Sequence, residues 1–264
     1  MINIIIQRPF QTFFGIETDH DPLPLLLAQK LGQPYISIVE RQVEQQIGVY
    51  RKENSFIVTF KGDSYKTTDP IHEIDRLLFE HTSYDESVLA LHGSAVAYQG
   101  GAYLFLASTG SGKTTLATYL TLNGFAHIAD DCILLDRQSF AVYPYPEPIH
   151  LRAGGMEVLK QQGLTIDAPL LGERYIYTPQ HVVDTPVPLR AIFFVERSEQ
   201  ENGCIPMSTN EKMAALMKAP ITPYAVTPTY LRLLSRLAAY PVWHLRYSDM
   251  AYVAKCIREG VRHG

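Results

Sequence analysis

The chain has 264 residues, of which 46% are hydrophobic and 19% charged, and a formal net charge of -4. That balance excludes a disordered chain, which would carry less apolar material and more charge, and it gives no broad electrostatic reason to bind nucleic acid. No apolar run approaches the roughly 20 residues that a membrane span requires, so neither a membrane nor a nucleic acid is an expected partner.

Met1 opens into Ile2-Asn3-Ile4-Ile5-Ile6, which lacks the basic start and small-residue cleavage site of a signal peptide and predicts a strand. Leu23 to Lys30 predicts a short helix behind two prolines, and Pro34 to Val39 a β-branched strand. Ile47-Gly48-Val49-Tyr50 and Ser55 to Phe60 flank the polar turn Arg51 to Asn54 and predict a hairpin. Asp69-Pro70 is a helix start, followed by Ile71, Ile74, Leu77 and Leu78 at helical spacing. The polar run Ser83 to Glu86 marks a boundary between a small β-rich accessory domain with its linking helix, 1–85, and a second domain, 86–264.

Strands are predicted over Val88 to Leu91, Ser94 to Tyr98 and Ala102 to Ala107, the last two joined by Gln99-Gly100-Gly101. A glycine-rich loop and a helix ending at Asn123-Gly124 follow, then a strand over Phe125 to Ala129. Further strands are expected at Leu189 to Val195 and Val242 to Tyr247, a helix behind Thr227-Pro228, and a closing helix over about 249 to 259. Strands alternating with helices indicate an α/β core.

The strongest signal is Ala107-Ser108-Thr109-Gly110-Ser111-Gly112-Lys113-Thr114, a P-loop pattern with Ala107 in place of the first glycine. Gly110 and Gly112 permit backbone angles that side chains would block, so amide N–H groups can turn toward one anion. The helix beginning near Lys113 adds the positive end of its dipole. By the motif's chemistry, Thr109 to Thr115 bind a nucleotide phosphate, Lys113 reaches the β- and γ-phosphates, and the Thr114 hydroxyl ligates Mg²⁺. Asp130-Asp131 closes the strand behind the loop helix, where P-loop proteins place a metal-linked acid. Neighbouring residues on an extended chain point opposite ways, so one carboxylate can serve the metal and the other an incoming hydroxyl.

Leu91-His92-Gly93, a two-strand hairpin, the loop, and Asp130-Asp131 together resemble the catalytic core of HPr kinase/phosphorylase, a family similar in fold to phosphoenolpyruvate carboxykinase. Fifteen positions separate His92 from Ala107 and seventeen separate Lys113 from Asp130, as in that family. The resemblance implies an α/β fold with a mixed-sheet P-loop kinase core. It implies Asp130 as the acid/base toward a substrate serine, Asp131 and Thr114 near Mg²⁺, and His92 near the γ-phosphate. The chain departs from the family where a Glu-x-Arg-Gly segment follows the aspartates. The nearest stretch is Glu147-Pro148-Ile149-His150-Leu151-Arg152, with Arg152 at the arginine and His150 where the glutamate would fall. Leu91-His92-Gly93-Ser94, Gly124-Phe125 with Ile128 to Asp131, and Tyr143 to Ile149 look more like the short HPr-kinase-like serine kinases of lasso-peptide biosynthesis.

That resemblance implies ATP and Mg²⁺ as cofactors, a peptide or small protein with an acceptor serine as partner, and a homo-oligomer by analogy with related kinases. A non-catalytic nucleotide switch and HPr kinase proper stay open beside it. Arg152, Arg174, Arg190 and Arg197 follow the aspartates and are candidates for phosphate or carboxylate contacts, with Glu147 on the metal side. His127 sits in an apolar strand and reads as a core residue, His150 as a weak metal-side candidate, and Trp243 and His244 as core and rim. Cys132, Cys204 and Cys256 are odd in number with no CxxC, which argues against a disulfide framework and fits a reducing cytoplasm. Sixteen tyrosines, among them Tyr143, Tyr145, Tyr175 and Tyr177 downstream of the aspartates, mark one face as a peptide groove.

Overall fold

The computed structural model describes residues 2–8, 12–20, 23, 25–27, 36–38, 45–83, 85–108, 110–145, 147–221 and 226–260. The chain divides into two compact units, Met1–Asp85 and Glu86–Gly264. Both are mixed α/β, and among the described residues no helix is long and apolar enough to cross a membrane.

The first unit is a six-stranded sheet in the order β3-β1-β2-β4-β5-β6. Its strands are β1 Ile2–Arg8, β2 Thr12–Thr18, β3 Ile36–Ile38, β4 Gln45–Lys52, β5 Ser55–Phe60 and β6 Asp63–Thr67. All neighbours are antiparallel except β2 and β4. The β4–β5 hairpin closes more tightly than its polar run predicts, with Arg51 and Lys52 in the strand and Glu53 at positive φ in the turn. The helix Pro70–Ser83 starts where Asp69 accepts the His72 amide at 3.0 Å. It buries Ile74, Leu77 and Leu78 in a cluster with Phe14, Ile16, Ile47, Val49, Val58 and Phe60. Of the predicted helix over Leu23 to Lys30, only Leu23 and 25–27 are described, and these are helical; Pro34, Tyr35 and Val39 also lie outside the described residues.

The second unit is built on a six-stranded sheet in the order β10-β8-β9-β16-β18-β17. These are β8 Gly93–Tyr98, β9 Gly101–Leu106, β10 Ala126–Ala129, β16 Leu189–Arg197, β17 Gly203–Pro206 and β18 Val242–Tyr247. Two three-stranded sheets join it. One sets β11 Ile133–Asp136 between β12 Val142–Tyr143 and β7 Val88–Leu91; the other sets β15 Arg174–Tyr177 between β13 Ile149–Leu151 and β14 Leu170–Leu171. Helices Lys113–Leu122, Ala153–Gln161 and Met250–Arg258 supply Leu116, Leu120, Met156, Leu159, Val253 and Ile257 to a core that also holds Phe105, Phe193, Trp243 and Leu245.

The Lys113–Leu122 helix forms against its own propensity. Its four threonines each cost up to about 0.7 kcal/mol relative to alanine. Full burial of Leu116 and Leu120, at about 1.5–3 kcal/mol each, outweighs that. Tertiary packing therefore holds a helix whose first turn is chosen for chemistry.

Candidate functional site

The direction of the strands decides where the site lies. β9, β16 and β18 run parallel, and β8 is antiparallel to both β9 and β10. The carboxyl ends of β9, β10, β16 and β18 and the start of β8 therefore share one edge of the sheet. In parallel α/β sheets that edge is where ligands bind. It gathers His92 and Ser94 at the start of β8, the loop after β9, Asp130 and Asp131 after β10, and the last residues of β16 and β18.

The loop has the conformation its glycines predict. Gly110 and Gly112 take φ of 86° and 88°, left-handed values that side chains resist. Ala107 is absent from the positive-φ residues, so this position requires only a small side chain and the departure from the pattern is accommodated. The Lys113–Leu122 helix has no side-chain cap and no acid in its first turn, which leaves its amide dipole facing the loop. The Ser111 hydroxyl is buried without a hydrogen-bond partner among the described residues. Such an orphan is the mark of a group waiting for a ligand. Lys113 is 5% exposed and donates to the Ala107 and Ser108 carbonyls at 3.0 and 3.1 Å. Burial lowers its pKa, and the charges of Asp131 and Asp130 pull it back. Thr109 lies outside the described residues.

The two aspartates have different surroundings. Asp131 takes φ of 62° and is exposed, while Asp130 is crowded by protein and keeps only a small accessible patch. Asp130 accepts hydrogen bonds from the Ser94 and Thr114 hydroxyls. Burial and the neighbouring Asp131 charge push its carboxyl well above the ordinary carboxylate range, against the pull of those bonds. The Thr114 hydroxyl thus meets Asp130 rather than Asp131. The expected base and an expected metal ligand are in contact.

His92 is fixed by two bonds. Its amide donates to the Ala219 carbonyl at 2.9 Å, and Nδ1 lies 3.1 Å from the Asp131 carbonyl. A carbonyl only accepts, so Nδ1 carries the proton and Nε2 is left for another partner. Between His92 and Ser94, a Cβ on Gly93 would fall 2.5 Å from the Phe105 carbonyl, so only glycine lets β8 lie there.

The remaining candidates sort by position. Tyr145 bridges Ala129 in parallel, which carries Glu147 toward the level of Asp131. Antiparallel register sets Leu151 against Tyr175, so Arg152 and Arg174 stand opposite each other at the end of that pair. Arg152 precedes the Ala153–Gln161 helix, whose Gly155 abuts Thr115: a Cβ there would lie 2.7 Å from the Thr115 hydroxyl. Arg152 therefore leads a helix packed against the first turn of the loop helix, while Arg174 lies on β15, which packs on that same Ala153–Gln161 helix. His150 pairs with Ile176 in the small sheet. His127 is fully buried, and desolvation holds its pKa down to about 4, with a backbone contact to Glu147 opposing it. Trp243 is core, and His244 faces Glu196 at 3.1 Å on the rim. Arg190 lies at the amino end of β16, away from the ligand edge.

Two residues beside the site are not singled out by the sequence, Ser94 and Tyr247, and a third, Arg197, is named there only among four candidate arginines. Ser94 is a fully buried polar residue in an otherwise apolar strand, a signal legible beside His92-Gly93. Arg197, in the sequence only one of four loose arginines, and Tyr247 reach the site through strand order alone. Among the described residues no group of three or more His, Cys, Asp or Glu side chains is arranged to hold a metal.

No family model matches the chain, and no curated protein matches it. Among solved structures it is similar to the HPr(Ser) kinase/phosphatase from Coxiella burnetii, at 13% identity and a TM-score of 0.33, over 64% of this chain and 88% of that one.

Proposed function

We propose that this protein is an ATP- and Mg²⁺-dependent serine kinase acting on a peptide or small protein, the carboxy-terminal serine of a lasso-peptide precursor being the finer assignment. The observation that carries the reading is the meeting, on one sheet edge, of an uncapped phosphate loop and a buried carboxyl with a raised pKa. A phosphate loop alone binds nucleotide; the raised carboxyl adds a base matched to a hydroxyl acceptor.

In the proposed reaction the loop amides and the Ser111 hydroxyl hold the triphosphate. Lys113 exchanges the Ala107 and Ser108 carbonyls for β- and γ-phosphate oxygens. The serine oxygen attacks the γ-phosphorus in line, its proton passes to the Asp130 carboxylate, and the bond to the β–γ bridging oxygen breaks to release ADP. Ser94 keeps the Asp130 carboxylate in place. His92 presents Nε2 on the same edge toward the transferring group. Thr114 and Asp131 are the residues that would hold Mg²⁺, which supplies charge neutralisation to the phosphates. One hydroxyl and one exposed carboxylate suit an ion that keeps its waters and leans on phosphate oxygens rather than on a carboxylate cage. Arg152, Arg174 and Glu147 are left for the substrate side.

The test incubates the protein with Mg²⁺-ATP and serine-terminated peptides and follows the phosphate mass shift. Transfer by the wild type, and a loss of about 10²–10⁴ in kcat for Asp130→Asn, is the expected result. Nucleotide binding with no transfer to any hydroxyl peptide or to HPr would overturn the kinase reading.

A further inference from the structure

The carboxyl ends of β16 and β18 rise beside the phosphate loop with two side chains that the proposed reaction does not employ. Phe194 pairs with Leu106, the last residue of β9, and Arg197 pairs with Tyr247. Arg197 and Tyr247 therefore stand three residues beyond the point where the chain leaves β9 to form the loop. Alternation along the strands places them on the helix-covered face. Phe193 and Val195 on β16, and Trp243, Leu245 and Tyr247 on β18, all enter the core beneath the loop helix.

Tyr247 is 3% exposed, and a Cβ on Gly112 would lie 3.2 Å from its hydroxyl. That hydroxyl has no hydrogen-bond partner among the described residues, although its ring is packed and the strand end is pinned by the Ser198 amide donating to the Tyr247 carbonyl at 2.8 Å. A buried ring whose hydroxyl stands beside a loop glycine without an acceptor among the described residues has a donor free for a ligand at the loop. Burial raises its pKa to about 12, so it keeps its proton, and the Arg197 charge bears on it from beside.

Charges on the opposite face are already paired: Glu196 with His244 and Arg246, and Arg246 with Glu201. Arg197 has no ion-pair partner among the described residues. A cation and a phenol donor side by side, at a glycine-rich loop that opens a helix, fit a polyphosphate.

We infer that Arg197 and Tyr247 form the second wall of the phosphate cradle, contacting the triphosphate of the bound nucleotide across from Lys113. This rests on the nucleotide reading given under Proposed function and extends it to two residues outside the loop motif.

The test is isothermal titration of the full chain with Mg²⁺-ATP and, separately, with inorganic tripolyphosphate. Tyr247→Phe keeps the ring and the core, Arg197→Gln removes an exposed charge, Arg197→Lys restores it, and Arg190→Gln makes the same charge change at the other end of β16. Expected is a loss of about tenfold in affinity for both ligands in Tyr247→Phe and in Arg197→Gln, partial recovery in Arg197→Lys, and no change in Arg190→Gln. Wild-type affinity for both ligands in both variants would overturn the inference. So would a loss confined to ATP, because the contact would then be to the nucleoside. A wild type that binds neither ligand would overturn the nucleotide reading itself.

Discussion

Asp130 carries the sharpest conflict between stability and chemistry in the molecule. Its carboxyl is ordinary in the unfolded chain, near 3.8, and raised in the folded one. Between those two values the folded protein holds a proton that the unfolded chain has released. Stability therefore falls as pH rises through that window, and the penalty is fully present above it. Asp130→Asn removes the charge and lets the Ser94 hydroxyl donate to the amide oxygen. In EDTA the variant is expected to melt with the wild type near pH 4 and above it near pH 8, by about 1 kcal/mol or more, since a tenfold change in proton affinity on folding is worth about 1.36 kcal/mol. Melting curves at the two pH values check this, and an equal difference at both would remove burial as the cause. The same substitution that strengthens the fold is the one expected to abolish phosphoryl transfer, which is the trade expected where a site holds a strained charge.

At the scale of elements, the loop and its helix depend on two glycines in different surroundings. Gly110 opens onto free space, so an added Cβ there meets only the cost of its left-handed φ, about 1–2 kcal/mol. Gly112 pays the same cost and also drives a Cβ toward the Tyr247 hydroxyl. Gly112→Ala is therefore expected to lower stability and nucleotide affinity more than Gly110→Ala, by chemical denaturation and titration of the two variants. A reversed order would mean that Tyr247 does not crowd the loop. The contrast also explains what is legible in the sequence. Motifs that act over consecutive residues are readable: the loop glycines, the Asp69-Pro70 start whose cap bond is present, and the Thr227-Pro228 start, where Thr227 accepts the Tyr230 amide at 3.1 Å. β6 is not readable, because Asp63 to Thr67 is a polar edge strand without apolar alternation. The Ala153–Gln161 helix is hidden by Gly154-Gly155 in its first turn. The Thr209–Leu216 helix does carry a signal, the reciprocal Ser208–Glu211 capping box, that apolar periodicity alone passes over. Within the candidate site, Arg197 and Tyr247 need the order β9-β16-β18, which no local pattern contains.

For the whole molecule, the division into Met1–Asp85 and Glu86–Gly264 matters because each unit has its own buried cluster and every candidate site residue falls in the second. Phe14 is fully buried in the first cluster, and Phe14→Ala is expected to cost about 3–5 kcal/mol there. The glycine-rich loop joins β9 to the Lys113–Leu122 helix, and these two elements bury Phe105, Leu116 and Leu120 in the other cluster with Phe193. Saturating nucleotide, at about a hundred times its dissociation constant, stabilises what it binds by about 2.7 kcal/mol. For a unit of this size that is a rise of about 5–10 °C, at roughly 2–4 °C per kcal/mol. Calorimetry of the wild type is therefore expected to show two transitions, of which Mg²⁺-ATP raises one, while Phe14→Ala lowers the other and leaves nucleotide affinity within about twofold. A single transition that responds to both would show the two units unfolding together. In that case the first unit would be part of what holds the phosphate loop in its shape, and Phe14→Ala would weaken nucleotide binding from outside the unit that carries the site.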